Sequence, residues 1–97
     1  MNKLESLFKK LNIHLEDARE EKIELREDVN GLLMKMGCTQ EEIDSNWTKT
    51  LVIQKLKEST SEKEIKVLLN EYTKLCQERR RITTLTKVIK YIEELSA

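Results

Sequence analysis

Residues 4–42 read LESLFKKLNIHLEDAREEKIELREDVNGLLMKMGCTQEE, and this stretch decides the fold. Stepping from Leu4 alternately by four and three residues gives Leu4, Phe8, Leu11, Leu15, Ala18, Lys22, Leu25, Val29, Leu32 and Met36. Nine of these ten are apolar. A spacing of 3.5 residues held over five heptads marks a coiled-coil seam and predicts a helix over 2–36. In heptad terms Phe8, Leu15, Lys22, Val29 and Met36 are a positions, and Leu4, Leu11, Ala18, Leu25 and Leu32 are d positions. Lys22 is the single polar residue of the seam. It either fixes register or packs its methylenes and sends the ammonium to water. Glu21 at g and Arg26 at the next e would attract across a parallel dimer, whereas His14 and Arg19 one heptad earlier would not. Gly31 lies on the outer face, where it costs about 1 kcal/mol relative to alanine.

The helix is expected to stop at Gly37, which suits the left-handed residue after a helix end. Thr39-Gln40-Glu41-Glu42 then forms a T-x-x-E capping box and opens a second helix, over 40–58. Ile43, Trp47 and Leu51 share one stripe, broadened by Val52, Ile53 and Leu56, so this helix should pack on more than one side. Ser59-Thr60-Ser61 favours a break, since these side chains compete for backbone hydrogen bonds. Both Ser59 and Ser61 are followed three residues later by glutamate, as a cap requires. A third helix, 62–96, has no breaker. Leu68, Leu75, Ile82 and Ile89 recur every seven residues. The flanking row changes from Ile65 and Tyr72 to Leu85 and Ile92, with the handover near Arg79-Arg80-Arg81, so the two halves should face different neighbours. The expected fold is all-α: a single helical domain over 1–97, built as a hairpin or three-helix bundle with coiled-coil extensions.

Composition agrees. The 97 residues are 37% charged and 4% aromatic, with two glycines and no proline, too little turn chemistry for a many-stranded β fold. Lysine plus arginine equals aspartate plus glutamate at 18 each, so bulk charge gives no support for a nucleic-acid binder. No apolar run approaches the roughly 18 residues needed to span a bilayer. The first residues lack a signal peptide's apolar stretch, so a soluble cytoplasmic or nuclear chain is expected. Cys38 and Cys76 are far apart and His14 is the only histidine, which leaves too few ligands for a structural zinc site. No cofactor is expected. There is no Gly-rich phosphate loop, and His14 on the edge of the seam is a poor candidate for a catalytic base. An enzyme is not expected.

Helix lengths suggest how such a chain could act. At 1.5 Å per residue the two long helices span about 52 Å each and the middle one about 28 Å. Folded up-down-up, residues of about 1–17 and 80–97 would overhang opposite ends. Leu4, Phe8, Leu11, Leu15, Ala18, Lys22 and Leu25 at one end, with Ile82, Leu85, Ile89 and Ile92 at the other, would then be an oligomer interface. The expected function is a scaffold or adaptor that forms a homodimer or joins a hetero-oligomer. The neutral total also hides a segregation. Residues 16–28 hold seven acids and three bases, while 74–90 hold six bases and one acid. Arg79, Arg80, Arg81, Lys87 and Lys90 are candidates for binding a charged partner. That partner could be another subunit, the acidic tails of tubulin, acidic lipid or, as an alternative function, nucleic acid. The tyrosines Tyr72 and Tyr91 make no stacking platform with the arginines, which disfavours nucleic acid.

One short stretch carries a family likeness. Leu4-Glu-Ser-Leu-Phe8-Lys-Lys-Leu-Asn-Ile13, followed by Glu16-Asp-Ala-Arg19, resembles the opening of the spindle microtubule-crosslinker family. The likeness covers about 16 residues, and Asn12 stands where that family has glycine. It implies a helical dimerisation element in a cytoskeletal assembly. In size alone, a three-helix bundle of this length is also similar to the regulatory N-terminal domain of SNAREs.

Overall fold

The computed structural model describes residues 3–96. Four helices follow one another: α1, Lys3–Lys35; α2, Gln40–Ser45; α3, Thr48–Glu58; and α4, Glu62–Ser96. No strand occurs among the described residues. α1 packs on α4. The chain divides into two compact units, Glu24–Leu75 on the one hand and Met1–Ile23 with Cys76–Ala97 on the other.

In the Glu24–Leu75 unit the turn after α1 is built as its sequence suggests. Gly37 takes φ 102°. Its N–H donates to the Met34 carbonyl at 3.1 Å, and the Cys38 N–H donates to the Leu33 carbonyl at 2.9 Å. This is the double bond pattern of a Schellman end, and the buried Leu33 and Cys38 make its apolar clasp. Thr39 then caps α2 reciprocally: its Oγ1 accepts from the Glu42 N–H, and the Glu42 carboxylate accepts from the Thr39 N–H, both at 3.1 Å.

The expected helix over 40–58 is two helices. Asn46 and Trp47 are both extended, at φ −125° and −65°. The cause is local: the Asn46 side-chain amide donates to the Glu42 carbonyl at 2.8 Å and so replaces the next helical turn. The stripe through Ile43, Trp47 and Leu51 therefore does not exist. Leu51 is buried and Ile43 packs on the core, but Trp47 is 84% exposed. The break also changes direction. Lys55 and Glu58 border the same recess as Met36, so α3 runs back toward the end of α1. α4 then starts beside Leu32 and Met36 and reaches Glu27, Asp28 and Gly31 by Val67 and Glu71, which makes it antiparallel to α1. Up-down-up packing is thereby excluded.

The core of this unit is Val29, Leu33, Cys38, Leu51, Val52, Leu68 and Leu75. Leu25, Leu32, Met36, Ile43, Leu56 and Tyr72 pack around it. Three directions of packing allow Val29, Leu33, Val52, Leu68 and Leu75 to lose all solvent contact, worth about 2 kcal/mol for each large side chain. Ser59–Ser61 is the expected break. The Ser59 Oγ accepts from the Ser61 N–H, and the Ser61 Oγ accepts from the Glu64 N–H at the start of α4.

The other unit is a pair of helix halves, 3–23 of α1 and 76–96 of α4. Arg81 approaches Glu21 at 4.0 Å. Leu15 and Ala18, which precede Glu21, are buried, as are Ile89 and Ile92, which follow Arg81. Only an antiparallel pair covers both sets. α1 is continuous through Asn12, whose amide donates to the Phe8 carbonyl at 2.9 Å within the helix.

Candidate functional site

The residues expected to form an oligomer interface are largely consumed within the chain. Leu15, Ala18, Ile89 and Ile92 are buried between the two helices, while Leu4, Phe8, Leu11, Lys22, Ile82 and Leu85 are half-buried along the same seam. Leu25 belongs to the other unit, where it packs on the core. The two stripes thus do not overhang opposite ends. They are each other's cover, because the return of α3 makes α4 antiparallel to α1.

Two helices can close one seam but leave two flanks, and the flanks differ. In heptad register Leu7, His14 and Glu21 form one edge row of α1, and Arg81, Val88 and Leu95 form one edge row of α4. The Glu21–Arg81 approach puts these rows on the same side. That flank carries Leu7, Val88 and Leu95, and Tyr91 adjoins it one turn from each of Val88 and Leu95. Their exposures are 47%, 40%, 60% and 62% in the order Leu7, Val88, Leu95, Tyr91. The opposite rows, Glu5, Asn12, Arg19 and Arg79, Thr86, Glu93, are polar throughout. Residues 7, 88, 91 and 95 were not among the sequence candidates. Their signal is legible afterwards as apolar residues at the edge of a heptad seam.

A polar layer crosses the inner part of this unit. Glu78 is only 7% exposed. It occupies the row of Leu85 and Ile92, one heptad earlier, where an apolar residue would fit. The Arg81 guanidinium donates to its carboxylate at 3.0 Å. Arg81 is exposed but engaged, holding Glu78 and approaching Glu21, and Arg79 is half-buried. Of the cationic candidates, Arg80, Arg81, Lys87 and Lys90 are exposed, and of these Arg81 is engaged with Glu78. The arginine triplet is not one open patch.

Three recesses of the Glu24–Leu75 unit are open surface grooves of about 320 to 440 Å³. The most polar of them is lined by Lys55, Glu58, Ser59 and Glu64. There the Gln54 amide and the Lys55 ammonium hold the Glu58 carboxyl below its usual range by hydrogen bonding. Burial pushes the Cys38 thiol up, against the pull of Lys55. Among the described residues no group of three histidine, cysteine or acidic side chains could hold a metal ion. No described helix is long and apolar enough to cross a membrane.

No protein-family model matches the chain, and comparison with curated proteins and with solved structures returns no match.

Proposed function

We propose that the chain is a non-enzymatic helical assembly module, a scaffold or adaptor that works by docking its α1–α4 pair against another helical surface. The observation that carries this reading is the asymmetry of the two edge rows of the pair: one is polar and the other, with Tyr91 beside it, exposes Leu7, Val88 and Leu95, while the further exposed apolar residues of this part of α1, Ile13 and Ile23, stand apart from it. Apolar residues gathered on one face of a small helical unit mark a protein-binding surface. Such a face grips a helix by residues spaced three, four and seven apart. Site-specific photocrosslinking tests it. A photoreactive residue at Leu7 or Leu95, in the full chain in its own cells, should give polypeptide adducts. The same residue at Asn12 or Thr86 on the polar flank should give few. Equal yields from both flanks contradict the proposal.

A second reading rests on Arg80, Lys87 and Lys90, which are exposed on α4 in a stretch, 79–90, without any acid. Such a face could take an anionic polymer. A fluorescent-oligonucleotide titration at about 50 mM salt, with no binding, discards it. The likeness of residues 4–19 to spindle crosslinkers suggests microtubule assemblies as one setting for the module. Failure to co-sediment with microtubules removes that setting.

A further inference from the structure

The Glu24–Leu75 unit has an open face of its own. Two adjoining grooves run between α1 and α4 and share Leu32, Lys35 and Val67, so they form one trough. No described residue of α2 or α3 lines either groove. Gly31 and Val67 line the trough together, and both are exposed. A glycine inside a helix lowers its stability. Packing within the chain does not require this one, since an added Cβ would meet no atom within 4 Å. What it provides is room for another backbone to approach α1 closely. Charge is laid out about the same level. On α1, Glu27 lies four residues before Gly31 and Lys35 four after it. On α4, Lys63 lies four before Val67 and Glu71 four after it. Because the helices are antiparallel, both acids, joined by Asp28, fall toward one end of the trough and both lysines toward the other. Glu27, Asp28, Lys35 and Lys63 have no ion-pair partner among the described residues.

From this we infer that the trough docks a second copy of the chain, about a two-fold axis that crosses both helices at the level of Gly31 and Val67. A two-fold interface must be self-complementary. An axis along the helices would set acids on acids. An axis across them lays α1 antiparallel on the second copy's α1, and α4 antiparallel on its α4. A residue four before the crossing then faces the residue four after it. Glu27 faces the second copy's Lys35, and Lys63 faces its Glu71, each pair occurring twice. The remaining charges bring no like pair together. Lys74, which holds Glu71 at 3.2 Å, comes opposite Thr60, and Glu64 comes opposite Asn70. The two Gly31 residues meet without side chains, so the α1 helices can close until Val67, 41% exposed, covers its counterpart. A second copy carries this alternation of charge about a small residue already. The surface is separate from the flank at Leu7 and Leu95, so the assembly-module reading stands or falls by its own photocrosslinking test.

Area sets the expected strength. A trough about 14 residues long and two helices wide presents a face of about 20 Å by 20 Å. Two such faces bury about 800 Å², below the size of standard stable interfaces, so the dimer is weak, with a Kd of about 100 µM.

Sedimentation equilibrium of the full purified chain, from about 10 µM to about 1 mM, tests this. The expected result is a shift from the 11.5 kDa chain mass toward twice that value with rising concentration. Gly31→Gln, a better helix former that fills the crossing point, should weaken the dimer at least about tenfold. Glu27→Lys and Lys35→Glu should each weaken it about fivefold, while the double variant carrying both should bind more tightly than either. Glu20→Lys, an equal charge change on an exposed residue of the other unit, should alter it less than about twofold. Circular dichroism confirms that each variant remains helical. A wild-type mass of 11.5 kDa at every concentration overturns the inference without needing any variant. So does a double charge swap that binds no more tightly than the single variants. A dimer indifferent to Gly31→Gln but lost on Leu7→Asp with Leu95→Asp also overturns it, and moves the interface to the flank.

Discussion

The two units draw on the same kinds of residues and reach different degrees of closure. In Glu24–Leu75, α3 adds a third packing direction, and five core side chains lose all contact with solvent. In the helix-pair unit the large residues of the seam, Leu15, Ile89 and Ile92, each keep a small exposure, and a glutamate occupies one seam position. The lesson is geometric. Two helices bury one stripe each, and a third element is needed before apolar residues on the adjoining rows can be covered. In one unit that element is supplied by the chain. In the other the adjoining row, Leu7 with Val88 and Leu95, stays open.

The largest expected effect separates the closed unit from the open one. Leu68→Ala should cost about 4 kcal/mol in urea unfolding, because its fully enclosed site cannot collapse. Ile92→Ala should cost about 2 kcal/mol, since its site borders solvent and can relax. Equal losses would erase the distinction between the units.

Next come the two glycines. Gly37→Ala should destabilise by about 1–2 kcal/mol. The nearest atom to an added Cβ would be the Lys55 Nζ at 3.9 Å, so the cost is that of the positive φ and not of space. Gly31→Ala should stabilise by about 1 kcal/mol, because it sits inside α1 with no atom within 4 Å of an added Cβ. Thermal melting reads both. A destabilising Gly31→Ala would mean that another helix approaches that face.

The polar layer of the helix pair sharpens the comparison further. Arg81→Met should destabilise by about 1 kcal/mol, because it strands the Glu78 carboxylate in the seam. Glu78→Leu should stabilise by about 1 kcal/mol and restore a continuous apolar row. If both variants destabilise equally, the ion pair carries net stability rather than specifying register.

The smallest effect is chemical. Cys38 is buried and Cys76 half-buried. With its thiol pKa raised by burial, Cys38 should react with a maleimide at pH 8 well after Cys76. The same shift has a stability sign. The protonated thiol favours the folded state, so this contribution is full below the unfolded thiol pKa of about 8.5 and is lost as pH rises through the higher folded value. Replacing Cys38 with alanine should remove that alkaline loss, as unfolding midpoints between pH 7 and 10 would record.

Much of the fold was legible because its signals are local. The ten seam residues from Leu4 to Met36 are all buried or half-buried. Gly37, Thr39 and Glu42 do what their types suggest, and the Ser59–Ser61 break falls where three hydroxyl residues compete with the helix. The handover near Arg79 is also physical: Tyr72 packs on the core closed by α3, whereas Ile92 is buried in the helix pair. Two features escaped. Asn46 carries no glycine or proline, and only its side-chain bond to Glu42 reveals the break that turns α3 around. From that break follow the antiparallel course of α4 and the mutual cover of the two stripes. Glu78 escaped because an acid among arginines reads as a surface residue, although counting back seven from Leu85 places it in the seam. The flank at Leu7, Val88 and Leu95 could be found only once the Glu21–Arg81 pair had fixed the two edge rows on the same side.

Hydrogen exchange tests the central contrast most directly. Amides of Glu24–Leu75 should exchange slowly, because α3 closes the core around five fully buried side chains. Those of residues 3–23 and 76–96 should exchange faster, because two helices close only one seam. Equal protection in the two units would contradict the account.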